Sequence, residues 1–297
     1  MPQSLRKINS FTHFIGIDWS GAKGKRHKGI AIAICETGDS APAIVEPSFG
    51  ERYWSRKEIT DWIKAGCGLP TEAKILIGID AAFGMPFDDE NAYFPGRKFP
   101  ETVPELWQEI ASCCVEEVDL FSGAFVEEYS EYFQQHGGRK GKCYSRRMRR
   151  TESICIETGA GPCESVFNLI GASQVGKSAL STMHMLHLLQ ECSDTAVWPF
   201  DEPNTARICL VEIYAALFAK LGGHKGKMRS SRELNIALQG LNSKAYQGEL
   251  PKKIDDVTDA LVTSAGLRDI ANSKQYWQPA YLVPKIRKTE GWIFGIK

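Results

Sequence analysis

The chain has 297 residues, with 36 basic and 36 acidic side chains, no formal net charge at neutral pH, and 43% hydrophobic residues. That balance excludes a disordered or fibrous protein and suits one large globular domain or two smaller ones. No run approaches the roughly 18 uninterrupted apolar residues of a membrane span, and the segment after Met1 carries no apolar signal-peptide core. The nine cysteines are scattered, with no Cys-x-x-Cys pair. Free thiols and a cytoplasmic location are expected, with neither a disulfide framework nor a zinc site.

In chain order, the short apolar run Phe14 to Asp18 predicts a strand buried on both faces. Gly29 to Cys35 predicts its neighbour, and Ala43 to Glu46 a third strand after Pro42. Ser55 is an N-cap candidate, with Glu58 completing a capping box for a helix over about 56–64. Lys74 to Asp80 then reads as a second buried strand. A meander followed by a crossover helix implies a mixed sheet in which the first and fourth strands are parallel neighbours. From Pro86 to about Asn204 the pattern turns helical, with amphipathic stretches over about 104–118, 124–133 and 178–190. A strand is expected over 206–213, helices over about 215–221 and 255–271, and a short late strand over 292–296.

The zero net charge hides a segregation. Phe99 to Gly138 contains no Lys or Arg, whereas Arg139 to Arg150 carries seven cations and no anion. Two shorter basic runs hold Lys23, Lys25, Arg26 and Lys28, and Lys225, Lys227, Arg229 and Arg232. Basic, glycine-rich loops of this kind track a phosphate backbone, although solvated surface loops carry the same composition. The expected nucleic-acid contacts are Lys23, Lys25, Arg139, Lys140, Lys142, Arg146, Arg147, Arg149 and Arg150. The last seven are expected on an exposed arm beginning at Gly137-Gly138, and Tyr144 is a candidate for stacking on an unpaired base. The rival reading pairs these arginines with the acidic helices before them.

Carboxylates carry the chemistry. Asp18 and Asp80 end strands expected to be parallel neighbours, so both emerge on the sheet edge where open α/β folds place ligands. Asp256 and Asp259 share a helical face with Ala260 and Thr263, small residues that allow close packing on a sheet. Gathered carboxylates repel one another unless a divalent cation neutralises them. Bland alternatives exist: Asp255 is a natural N-cap, first-turn acids suit the helix dipole, and a strand-terminal Asp often satisfies a turn. Glu212, at its strand end, reads equally as a further ligand or as a turn cap.

The series of three strands, a helix, a strand, a later strand and a final acidic helix resembles the ribonuclease H-like fold. The motifs Phe14-Ile15-Gly16-Ile17-Asp18, Ile77 to Pro86, Val211-Glu212-Ile213-Tyr214 and Asp255 to Leu261 resemble one branch of it. That branch is the predicted-nuclease family called domain of unknown function 429. The likeness extends to Val197-Trp198-Pro199-Phe200 and Glu290-Gly291-Trp292-Ile293, while Ala81-Ala82 departs from a stretch that often contains proline. The resemblance implies a mixed five-stranded sheet flanked by helices over residues 10–297, with a large, mostly helical insertion over 87–204. It also implies a Mg²⁺ (or Mn²⁺) site on Asp18, Asp80 and one or both of Asp256 and Asp259.

Two further patterns compete. Gly171 to Ser178 matches G-x-x-x-x-G-K-[ST], with Val166 to Ile170 as a candidate lead-in strand. A nucleotide-dependent switch or ATPase would use Lys177 and Ser178 there, but no later strand ends in the expected Asp. His184, His187 and Glu191 share a helical face as a metal trio or, more plainly, as that helix's polar side. The leading expectation is a Mg²⁺-dependent nuclease acting through Asp18, Asp80, Asp256, Asp259 and Glu212 on nucleic acid, with no membrane partner and self-association left open. A non-catalytic scaffold of the same fold is the third reading.

Overall fold

The computed structural model describes residues 11–297 apart from 49, 160, 172–174 and 252–254. The N-terminal segment and the centre of the Gly171 to Ser178 pattern therefore lie outside the described residues. In chain order the elements are β1 (His13–Asp18), β2 (Ala31–Glu36), β3 (Ala43–Ile44), α1 (Arg56–Lys64) and β4 (Ile75–Asp80). Then come α2 (Val103–Cys113), α3 (Gly123–Glu128), α4 (Arg150–Glu157), α5 (Gly176–Leu189), β5 (Thr195–Trp198) and β6 (Ile208–Glu212). The chain finishes with α6 (Ala215–Leu221), α7 (Ser231–Gly240), α8 (Asp255–Ile270), α9 (Lys274–Trp277) and α10 (Pro284–Thr289).

The strands form one six-stranded mixed sheet in the order β3-β2-β1-β4-β6-β5. β1 is antiparallel to β2, while β4, β6 and β5 continue parallel to β1. Two expectations are corrected here. The sheet has a sixth strand, β5, drawn from inside the segment expected to be helical. Four residues next to Pro199 are too short to show a periodicity, and pairing with β6 is what makes them a strand. Conversely, residues 292–296 form no strand: Ile293 makes a single bridge to Glu212.

Alternation along each strand separates two apolar layers. Ile15, Ile17, Ile75, Ile77 and Ile79 pack toward α1, α2 and α5, whereas Phe14, Leu76 and Val211 pack toward α6 and α8. α1 starts where the capping box requires, with the Ser55 hydroxyl accepting from the Glu58 amide and the Glu58 carboxylate accepting from the Ser55 amide. Its amides at Arg56 and Lys57 also donate to Asp119 at 2.9 and 3.0 Å, and His27 lies 2.7 Å from the same carboxylate. Asp119 thus fastens the segment between α2 and α3 to the first helix.

One close approach determines the site. A methyl group at Gly16 would collide with the backbone of α8 at Ala260 and Ser264, so glycine at the centre of β1 lets that helix lie directly on the sheet. Gly78, the register partner of Gly16, has Ile213 and Leu267 against its open face, where an added methyl would come within 2.9 Å of each. The Ser264 hydroxyl completes the seat with a 2.9 Å bond to the Phe14 carbonyl.

Candidate functional site

Asp18 and Asp80 are register partners at the ends of the parallel strands β1 and β4. Their carboxylates leave the sheet at one edge, each partly buried. The turn after β6 supplies the Ala215 amide, which donates to Asp80 Oδ2 at 3.2 Å. The seating of α8 on Gly16 brings its first turns to the same edge. Asp259 and Asp256 are accordingly close enough to Asp18 to disfavour its ionisation.

The electrostatics describe a crowded anionic cluster. Burial, then the charges of Asp80, Asp259 and Asp256, hold the Asp18 carboxyl well above the ordinary range, opposed by Lys227. Asp80 is pushed to about 7 by burial, then by Asp259 and Glu212, against the Ala215 amide. Asp259 is raised to about 7 by burial and by Asp255 and Asp256, again opposed by Lys227. Both mechanisms disfavour the charged form of a carboxylate. Lys227, whose ammonium lies 2.8 Å from Asp255, is the counter-charge within the cluster. The sequence reads Lys227 only as part of a basic loop, because nothing local reveals that the loop folds back on α8.

By donor chemistry the cluster suits a hard divalent cation: every group is an oxygen donor, as Mg²⁺ and Mn²⁺ prefer. By position, no three or more His, Cys, Asp or Glu side chains among the described residues are arranged to hold a metal ion. The donor chemistry, and not an assembled set of ligands, is what points to a cation.

Glu212 is engaged on both carboxylate oxygens. It is buried beside Asp80's strand, accepts the Phe83 amide at 2.9 Å, and is held by both terminal nitrogens of Arg149, one of them at 2.8 Å. Arg149 also reaches Glu152 at 3.0 Å and the Glu290 carbonyl at 3.1 Å.

That geometry corrects the expectation of an exposed basic arm. Arg147 is buried, bonding Asp89 at 2.9 Å and the carbonyls of Tyr93, Ala92 and Pro86 at 2.6, 2.7 and 3.1 Å. Arg149 is 1% exposed, so neither guanidinium is open to a phosphate. Arg150 donates its amide to Glu290 at 2.8 Å and lays its guanidinium 4.9 Å from the centre of the Tyr281 ring. Arg139, Lys140, Lys142 and Arg146 are exposed, although Lys142 pairs with Glu131 and Arg146 with Glu164. Lys140 lies over the Tyr144 ring, whose hydroxyl donates to Gln134 at 3.0 Å. The burial of Arg147 and Arg149 is not legible in the run itself, because Asp89 and Glu212 stand about sixty residues away in sequence.

Lys23 and Lys25 are exposed on the loop after β1. Lys23 lies over Phe121, and Lys25 lines an open cleft with Glu116 and Glu117. The lead-in strand expected at Val166 to Ile170 is absent, and the Ser178 hydroxyl donates to the Val175 carbonyl at 2.8 Å. The backbone of Lys177 and Ser178 packs instead against Gly21. His184 is buried, its Nδ1 lacks a partner, and burial, His187 and Lys57 lower its pKa to about 4.

The class that fold and site define is a mixed α/β protein with a carboxylate-lined sheet edge, in which no helix among the described residues is long and apolar enough to cross a membrane. Set against protein-family models, the curated proteins and the solved structures, the chain matches none.

Proposed function

We propose that this chain is a Mg²⁺- or Mn²⁺-dependent nuclease of the ribonuclease H-like class that hydrolyses phosphodiester bonds of nucleic acid. The observation that carries the reading is the direct register pairing of Asp18 with Asp80, with α8 seated across Gly16 beside them. An antiparallel β1–β2 pair continued by parallel β4 and β6 is in keeping with that class, as is the motif likeness to the domain of unknown function 429 family.

Asp18 and Asp80 would hold the cation from the strand ends, with Asp259 and Asp256 supplying further oxygens from α8. A bound divalent ion would supply an activated water and charge for the leaving oxygen. The Ala215 amide orients Asp80, and Arg149 engages Glu212, so the glutamate buttresses the strand end. Lys227 balances the acids from Asp255. The exposed Lys23, Lys25, Arg139, Lys140, Lys142 and Arg146 would follow the phosphate backbone.

The test is cleavage of single- and double-stranded DNA, RNA, hybrid and branched substrates by the purified chain with Mn²⁺ or Mg²⁺, beside Asp18→Asn and Asp80→Asn. Cleavage by the parent alone is expected. No cleavage of any substrate, together with no Mn²⁺ binding by calorimetry, would overturn the reading.

A further inference from the structure

Helix α5 carries His184 and His187 three residues apart, so the two imidazoles share one face of the helix. That face, the C-terminal end of α2 and Lys57 of α1 enclose a cleft of about 340 Å³. A cleft of that volume is of small-molecule size. Ala111, Val115, Leu120 and Leu188 give it apolar walls, and Lys57, Ser112, Glu117 and the two histidines give it polar ones.

The histidines lack protein partners. His184 is 7% exposed, and the Nδ1 of both rings is buried with no hydrogen-bond partner among the described residues. With no acceptor facing Nδ1, a neutral ring carries its proton on Nε2. That N–H is the donor each histidine has for a ligand. Burial, then the charges of His187, Lys57 and Arg56, lower the His184 pKa to about 4, so this ring is uncharged at neutral pH. A metal held on Nε2 would need an acceptor for the proton moved to Nδ1, and neither ring has one. The charged groups of the cleft are the Lys57 ammonium and the Glu117 carboxylate, one oxygen of which already accepts the Ala124 amide at 2.9 Å.

We propose that this cleft binds a small organic monoanion, a carboxylate with an apolar body. The two Nε2–H groups donate to the carboxylate oxygens and the Lys57 ammonium balances the charge. The body of the ligand lies along Ala111, Val115, Leu120 and Leu188. One ammonium answers one negative charge. A phosphate monoester brings about two at neutral pH, and the second would face Glu117. The cleft shares Lys57, Val115 and Glu117 with the larger one that Lys25 lines, which makes the ligand a neighbour of the loop after β1. The inference stands independently of the nuclease reading, since none of its residues belongs to the carboxylate edge.

The test titrates the full chain with octanoate by calorimetry. Octanol, which keeps the body without the charge, and inorganic phosphate, which keeps charge without the body, run beside it. One equivalent of octanoate should bind, with octanol and phosphate weaker by about tenfold or more. Lys57→Ala and His187→Ala, at an exposed and a half-buried position, should each weaken octanoate about tenfold. Substitution of buried His184 risks the fold, so that ring is followed by NMR in the parent chain labelled with ¹⁵N-histidine. It should show the Nε2–H tautomer, and its Nε2 signal should move with octanoate at the calorimetric affinity while histidines outside α5 stay fixed. No saturable binding at millimolar octanoate would overturn the proposal, as would equal affinity for octanol. So would unchanged affinity in both variants, or an Nδ1–H tautomer at His184.

Discussion

Arg149 and Glu212 form a buried ion pair, 1% and 2% exposed, that joins helix α4 to the end of strand β6. A guanidinium is a planar fork matched to a carboxylate, and here two of its nitrogens meet the Glu212 oxygens while the third reaches Glu152. Removing one member leaves the other charged and dry. Arg149→Met should therefore destabilise the protein by about 3–5 kcal/mol, and Arg149→Met with Glu212→Gln by clearly less. Urea unfolding of both variants measures the difference, and a single-mutant loss under about 1 kcal/mol would contradict the geometry.

The carboxylate edge makes stability depend on pH. Asp80 and Asp259 titrate at about 7 in the folded protein, against about 3.9 for an unfolded Asp. Between those values the folded state binds more protons than the unfolded one. The stabilisation is thus complete below about pH 4 and is lost as pH rises through about 7. Without added metal, the melting temperature should fall from pH 5 to pH 8, and Asp80→Asn should flatten that slope. Mn²⁺ should raise the melting temperature more at pH 8 than at pH 5, because protons compete for the same oxygens. A flat profile in the parent would remove the basis for the crowded cluster.

Close packing at Gly16 gives a backbone prediction. Gly16→Ala drives a methyl into the α8 backbone at Ala260 and Ser264. Overpacking of this kind costs about 1–3 kcal/mol, and here it falls on the seat that aligns Asp259 with Asp18. The variant should lose Mn²⁺ affinity as well as stability. Gly38→Ala, where nothing surrounds the added methyl but the φ of 103° strains the backbone, is the comparison for a destabilising glycine substitution away from the acids. Calorimetry and thermal melts of both should show the affinity loss only for Gly16→Ala.

The basic segment divides by exposure. Replacing Arg139, Lys140, Lys142 and Arg146 with Ala should weaken nucleic-acid binding across sequences. It should also flatten the log–log salt slope by roughly 0.7–0.9 for each phosphate the variant no longer neutralises, with little change in melting temperature. Arg147→Ala should do the reverse, lowering the melting temperature because Asp89 and three carbonyls lose their donor. Filter binding at several salt concentrations, paired with melts, separates the two. An unchanged salt slope in the quadruple variant would move the interface elsewhere on the surface.

Local chemistry in the sequence determined the first hundred residues almost unaided. The run Phe14 to Asp18, the Ser55–Glu58 capping box and the run ending in Asp80 each carry their signal within a few residues, and meander-then-crossover topology made β1 and β4 parallel neighbours. The small-residue face of α8 likewise announced close packing, which Gly16 accepts. What no local pattern could decide were interactions whose partners are distant in sequence. Arg147 and Arg149 read as phosphate-binding cations until Asp89, Glu212 and Glu290 arrive from elsewhere in the chain to surround them. β5 is a strand only because β6 offers it an edge, and residues 292–296 are not one because just Ile293 bridges to Glu212. Lys227 joins the acidic cluster because its loop folds back on Asp255. Burial and charge pairing are properties of the assembled fold, set by which elements meet across the sheet, and a single strand or helix does not contain them.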